Sequence, residues 1–236
     1  MKIILYVLFV SCAASVTAQN SAELDRADSL FHQNRYTQSF EIYKSIFDQG
    51  KYTPTMLLKM AFVQEGLNRT APALYYLSLY YDATLDESVA TKIEELADKH
   101  RLTGYKFGEA DRIHLLYNKN KSTITIALNA FIAFLVVIMV YIRRNGSRPV
   151  GTFVCLILVM VVTLAHINHF GQSRTAIIAN SNTYIMDGPS AGASVIGVAE
   201  EGHKVIVANK EDVWVRVKWN GKNAYIKERN LLPLNL

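Results

Sequence analysis

Three kinds of hydrophobic pattern follow one another along the chain. From Ser21 to about His100 apolar residues recur every three or four positions, the period of an amphipathic helix. Ala22, Leu24, Ala27, Leu30 and Phe31 form the first such stripe, and Phe40, Tyr43, Ile46 and Phe47 the second, after a break at Asn34, Arg35 and Tyr36. Thr53 and Pro54 start a third helix, with Leu57, Leu58, Ala61 and Phe62 on its apolar face and Gly66 to Asn68 at its end. A fourth runs through Ala73, Leu74, Leu77, Tyr80 and Tyr81, and a fifth from about Asp86 to His100 through Val89, Ile93 and Leu96. The pattern then changes to two unbroken apolar runs, Thr123 to Ile142 and Val150 to Ile167, without a Lys, Arg, Asp or Glu in either. From residue 175 it becomes alternation: Val205 and Val207; Val213, Val215, Val217 and Trp219; Ala224 and Ile226. Gly188, Gly202 and the pair Asn220 and Gly221 mark turns between short strands.

A run of about 20 apolar residues makes a helix of about 30 Å, the thickness of a bilayer's hydrocarbon core. There a backbone must satisfy its own polar groups, so a helix is the natural form. The link 143–149 is too short for a domain, so the two runs are expected to form a transmembrane hairpin, spans 123–142 and 150–168, with its outer ends on one side. Two buried helices of a soluble protein are the alternative. Leu102 to Gly108 has two glycines and no period and reads as a loop. The connector 105–122 is then expected to hold a short helix from Asp111 to Tyr117, followed by a polar segment, Asn118 to Ser122, at the headgroups.

At the start, Lys2 precedes the apolar stretch Ile3 to Val10, and Val16, Thr17 and Ala18 fit a signal-peptidase site, so residues 1–18 read as a secretory signal peptide. An uncleaved anchor, or lipidation of Cys12 in a loose lipobox, are the alternatives. All three export the chain beyond residue 18. The expected protein sits in the inner (cytoplasmic) membrane, crosses it twice, and keeps modules 19–104 and 175–236 in the periplasm. Arg143, Arg144 and Arg148 then lie in the cytoplasm, as the positive-inside rule prefers, although Arg112, Lys119 and Lys121 flank the other end.

Charge sharpens this picture. The net charge of +5 is uneven: residues 19–104 carry 9 Lys and Arg against 12 Asp and Glu, 177–236 carry 7 against 6, and 105–176 carry 8 against 2. The basic excess sits at the membrane boundary, where anionic headgroups are the natural contact. Neither soluble module has the basic face that nucleic acid requires. Of two cysteines, Cys12 lies in the signal and Cys155 in the second apolar run, so the exported modules have no disulfide, cysteine zinc site or thiol chemistry.

Catalytic signatures are missing from the sequence. His32, His100, His114 and His203 are scattered, and no P-loop, dinucleotide turn or HExxH occurs. His166 and His169 are spaced as a metal pair but have no acidic or thiol partner nearby. No enzyme activity, cofactor or metal is expected. Tyr75, Tyr76, Tyr80 and Tyr81 cannot all face one core side by spacing, so some are expected on a groove or rim as protein-binding residues. The alternative is that they pack inside.

The run Phe31 to Tyr43, with Ser39 between Tyr36 and Tyr43, resembles a tetratricopeptide repeat, and Gln64 to Gly66, Ala71, Ala73 and Tyr76 a more divergent second copy. The first copy lacks the usual glycine in its first helix and carries about three extra residues before Pro54. The resemblance implies stacked helix pairs around a concave groove, with the fifth helix as a cap; a generic five-helix bundle is the alternative. Thr183 to Ser190, Val195 to Gly197, Glu201 to Val205, Val213 to Val217 and Asn220 to Ile226 look like a bacterial SH3 domain, with Ala224 where glycine, and Tyr225 where tryptophan, is usual. That resemblance implies a small barrel that binds peptides, including cell-wall peptides, or serves as an accessory module. Tyr184, Trp214, Arg216 and Tyr225 are the candidate ligand contacts, since aromatic rings with one cation suit a carboxylate-bearing peptide. Strand alternation predicts Trp214 on the face opposite Val213, Val215 and Val217. The whole order of modules, together with Ala73 to Tyr81, is similar to the E-type family of the bacterial aerotolerance operon, which implies membrane proteins with von Willebrand A domains and a MoxR-type ATPase as partners.

The expected fold is multidomain: an all-α helical repeat, a two-helix transmembrane hairpin and a small all-β SH3-like barrel. The expected function is a non-enzymatic, membrane-tethered scaffold, with cell-wall peptide recognition by the barrel, or an accessory role in an aerotolerance-type complex, as the alternatives.

Overall fold

The computed structural model describes residues 22–106, 108–146, 148–169 and 174–234. The signal segment 1–18 and Cys12 lie outside the described residues. Two compact units are formed, one by residues up to Lys106 together with those from Arg174 on, the other by Phe107–Ser173. The helical and barrel modules, expected as separate domains, therefore share one unit.

Five helices make up the first half of that unit: α1 (residues 22–32), α2 (Tyr36–Asp48), α3 (Pro54–Gly66), α4 (Thr70–Thr84) and α5 (Glu87–Lys99). Local chemistry sets their ends. Thr53, in an extended conformation, accepts a hydrogen bond from the Met56 amide at 3.2 Å, and Pro54 occupies the first turn, where its missing N–H costs nothing. Asp86 caps α5 by accepting from the Ser88 amide at 3.0 Å. Polar ties, one of them buried, join the first three helices. The Ser39 hydroxyl donates to the Ala27 carbonyl at 2.9 Å, the Tyr43 hydroxyl donates to Asp28, and the Lys59 ammonium lies 2.8 Å from the same carboxylate. Burial would raise the Asp28 pKa, but the hydrogen bonds from Lys59 and Tyr43 outweigh it and hold the carboxyl below its usual value.

Helix α4 touches α3, α5 and the barrel, and it buries residues around its circumference, among them Ala71, Ala73, Leu74 and Leu77. The α3 face differs from the one expected by spacing. Met56, Leu57, Met60, Ala61 and Val63 point inward, while Leu58 and Phe62 are exposed.

The second half is a seven-stranded antiparallel sheet: β1 (Arg174–Ile178), β2 (Thr183–Met186), β3 (Val195–Ala199), β4 (Lys204–Glu211), β5 (Trp214–Trp219), β6 (Lys222–Lys227) and β7 (Leu231–Pro233). Its order is β3-β2-β6-β5-β4-β1-β7. Ile178, Ile185, Val205, Val215, Val217 and Ile226 form the core on one face. Bulges interrupt the register after Ile185 and after Val207 and curl the sheet. Trp219 pairs with Lys222, so Asn220 and Gly221 form a two-residue turn, both at positive φ (48° and 78°), as that turn type requires.

The second unit holds α6 (Glu109–Arg144) and α7 (Val150–His169). Each contains a stretch long and apolar enough to cross a membrane, Asn120–Arg144 and Val150–Asn168. Their surfaces expose Phe134, Val137 and Tyr141 on α6, and Phe153, Leu158 and Val161 on α7. Such rings and branched chains are the side chains expected inside a core; here they face outward, as lipid-facing residues would. The short helix and separate headgroup segment expected in the connector are instead one continuous helix with the first apolar run. No glycine or proline lies between residues 109 and 144 to interrupt it.

Candidate functional site

The residues expected to bind a ligand share the barrel face opposite its core. Arg216 on β5 pairs directly with Tyr225 on β6, which in turn pairs with Met186 on β2. Trp214 lies two residues along β5 from Arg216, opposite Lys227, and Tyr184 two along β2 from Met186. With a side-chain period of two, Tyr184, Tyr225, Arg216 and Trp214 all point away from Ile185, Ala224, Val215 and Val217. Their exposures differ. Tyr184 is 62% exposed and Tyr225 half-buried, whereas Trp214 is 7% exposed, with the Lys227 ammonium 5.3 Å from its ring centre. Trp214 is thus a packed element of the face, and Tyr184, Arg216 and Tyr225 are the accessible ones.

Val213 corrects one expectation. It is 50% exposed and lies outside the strand, because Glu211 pairs with Trp214 and leaves Asp212 (φ 56°) and Val213 as a turn. The strand's fully buried core residues are Val215 and Val217, with Trp219 packed against the core beyond them.

Arg216 is weakly held. Its Nη2 lies 3.9 Å from Glu211 Oε1, and its Nε is buried with no hydrogen-bond partner. A buried donor without an acceptor is costly, and a guanidinium prefers a bidentate carboxylate. Arg216 thus stands next to Tyr225 on this face with only a distant acidic partner.

The helical tyrosines lie largely inside. Tyr75 and Tyr76 are each 7% exposed and Tyr81 1%, leaving Tyr80 as the half-buried member. Helix α4 has neighbours on several sides, so residues that cannot share one face are buried against different elements. Tyr76 meets Phe40 and Phe47 of α2 edge to face at 6.0 and 5.7 Å. Burial, with Asp48 nearby, pushes the Tyr75 hydroxyl up to about 12. A groove built from Tyr75, Tyr76 and Tyr81 is not available in this arrangement.

An unforeseen aromatic cluster is accessible instead. Phe31, Tyr36 and Phe62 meet edge to face, with centroids 5.1, 5.7 and 5.5 Å apart, and Phe62 is 54% exposed. The sequence assigned Phe31 and Phe62 to core stripes, and helical spacing alone does not reveal a face left uncovered.

The connection between helices and barrel is a second unforeseen feature. The Lys204 amide donates to the Thr103 carbonyl at 3.0 Å, the Thr103 amide donates to His203 Nδ1 at 3.2 Å, and the Tyr105 hydroxyl donates to the Gly202 carbonyl at 2.6 Å. Two glycines make room. A Cβ on Gly104 (φ 92°) would lie 2.2 Å from the Lys204 carbonyl oxygen, and one on Gly202 (φ 96°) would lie 2.7 Å from Leu102 Cδ1.

In the helix pair, His166 is 5% exposed and both ring nitrogens are engaged. The Tyr117 hydroxyl meets Nδ1, and Nε2 lies 3.0 Å from Thr125 Oγ1, whose own proton goes to the Lys121 carbonyl at 2.8 Å. Thr125 therefore accepts, and Nε2 carries a proton. No group of three or more metal-ligating side chains occurs among the described residues.

Residues 179–233 match the bacterial SH3 domain family. No curated protein and no solved structure matches the chain.

Proposed function

We propose that this protein is a non-enzymatic scaffold tethered to the inner membrane, with the helical half and the barrel as its interaction surfaces. The observation that carries the reading is the barrel face: in a segment matching a bacterial SH3 domain, Tyr225 pairs with Arg216, and Tyr184, exposed, lies one strand beyond Tyr225 on the same face. A module of this family is a generic protein- or peptidoglycan-binding unit. The aromatic cluster Phe31, Tyr36 and Phe62 adds a second surface. Neither surface sets a nucleophile beside a base.

Tethering rests on α6 and α7. Hydrogen bonds linking Thr103 and Tyr105 with Gly202, His203 and Lys204 join the segments before and after the pair, which supports both segments lying on the same side of a membrane. The signal-like start and the Arg143, Arg144 and Arg148 turn favour the periplasm for both soluble parts. The helical half resembles tetratricopeptide repeats, and the order of modules resembles the E-type aerotolerance family; on that reading the partners are membrane proteins with von Willebrand A domains, in a complex with a MoxR-type ATPase.

A second reading is favoured by the partly exposed guanidinium of Arg216, held only by Glu211 at 3.9 Å and next to Tyr225: recognition of a cell-wall stem peptide through its carboxylate. One experiment separates the two. Full-length protein carrying a photo-crosslinking residue at Phe62 or at Tyr184 is irradiated in intact cells, and the products are compared with retention on purified sacculi. Protein adducts at either position, without retention, support the scaffold. Retention abolished by Arg216→Ala supports the peptide reading, and neither result in any condition overturns both.

A further inference from the structure

We infer that the contact of Thr103 with His203 is an acid-opened clasp, which holds the barrel against the helical half near neutral pH and releases it on acidification. The inference rests on hydrogen-bond direction. A backbone amide can only donate, so the Thr103 N–H pointing at Nδ1 over 3.2 Å requires a lone pair there. The Thr103 hydroxyl, 3.0 Å from the same nitrogen, can donate to it as well. Protonating the imidazole places a hydrogen on Nδ1. The hydroxyl can rotate and accept, but the amide cannot, and it loses its partner. The imidazole is fixed in place on its other side by Trp219, whose ring meets it edge to face at 5.5 Å.

The ionisable groups turned toward this corner come from four elements. Glu200, in the turn before His203, favours the protonated ring, but burial outweighs it and keeps the His203 pKa below its ordinary value. Lys204 on β4 places its ammonium 5.9 Å from the ring centre of Tyr105 in the connector, whose buried hydroxyl is pushed up strongly. Asp82 on α4 is pushed up to about 6 by burial, against the pull of Lys204.

The two titrations have opposite signs. His203, depressed in the folded state, supplies stability that is present above its ordinary value of 6.5 and lost as pH falls through its lower folded value. Asp82, raised from 3.8, supplies stability that is present in acid and lost as pH rises through about 6. Asp82 therefore restrains an opening that His203 drives, and removing Asp82 should expose the full response.

The test is amide hydrogen exchange on the full chain in nanodiscs, corrected for intrinsic rates, read at Thr103 and Lys204 between pH 7.5 and 5. Wild type should lose protection at both amides on acidification. Asp82→Asn should lose more, about three- to tenfold, the factor that one hydrogen bond represents. His203→Asn keeps an acceptor near the Nδ1 position without a titrating ring, and should keep its protection or gain some from Asp82. An equal loss in His203→Asn and wild type overturns the clasp. Should His203→Asn be unprotected already at pH 7.5, imidazole nitrogen NMR of wild type decides: His203 must be the Nε2–H tautomer and titrate together with the loss of protection. Titration without that loss, or a proton on Nδ1 at pH 7.5, overturns the clasp.

Discussion

Gly104 lies so close to Lys204 that its missing side chain is a condition of the contact: a Cβ there would stand 2.2 Å from the Lys204 carbonyl oxygen. Backbone cannot swing aside as a side-chain tip can. Gly104→Ala should undock the barrel, at a cost of about 2 kcal/mol or more, while leaving both cores intact. Gly221→Ala is the control: its φ of 78° is also positive, but nothing lies within 4 Å of the added carbon. It should cost about 1 kcal/mol and leave docking unchanged. Exchange at the Lys204 amide distinguishes the two variants.

Arg216 and Trp214 share a face but should behave differently. Arg216→Ala removes a weak pair at 3.9 Å and should change stability by less than about 1 kcal/mol. If the face binds carboxylate-bearing peptides, that variant should weaken binding at least about tenfold, the worth of a hydrogen bond to a charged group. Trp214→Ala should cost about 3 kcal/mol or more by emptying a packed site. Peptide titration with parallel thermal melts separates the two effects.

Asp28 predicts an acid limb for the helical half. Its carboxyl is held below 3.8, so the stability it supplies is present above that pH and lost as pH falls through its lower folded value. Asp28→Asn should cost about 1 kcal/mol at pH 7, discounted for partial exposure, and should flatten the stability profile below pH 4. Denaturant midpoints at pH 7 and pH 3 provide the check.

The proposed topology predicts a labelling pattern. With Cys12 and Cys155 both replaced by Ala, single cysteines at Lys51 and Lys222, both exposed, should react with a membrane-impermeant maleimide on intact spheroplasts. A cysteine at Asn145, in the turn after α6, should react only after lysis. Labelling of Lys51 with protection of Lys222 would contradict the hairpin, because the two halves are hydrogen-bonded to each other.

Where one physical cause dominates, the sequence was legible. The alternation of Val215 with Val217, the Asn220 and Gly221 turn and the two apolar helices follow from period and turn chemistry, and the SH3-like segment follows from them. Register was less so: the two-residue turn at Asp212 and Val213 moves Val213 off the core face, and only pairing of Glu211 with Trp214 reveals it. Spacing puts the tyrosines of α4 on more than one side of the helix but does not say which side is covered: α4 has neighbours on several sides, so Tyr75, Tyr76 and Tyr81 pack inside and Tyr80 is half-buried. The connection through Gly104 and Gly202 left no readable signal, because a glycine in a loop looks the same whether it faces water or a carbonyl one hundred residues away.

That separation bears on how the protein is made. Thr103 and His203 are 100 positions apart, whereas the ties within the helical half, such as Ser39 to Ala27, span 12. Local contacts form early and distant ones late, since closing a long loop costs more chain entropy. During synthesis Leu102 and Tyr105 therefore wait, uncovered, until both apolar helices and the strands beyond them have emerged. A chain cut short before β4 would leave Leu102 and Tyr105 without the surface that covers them in the folded protein.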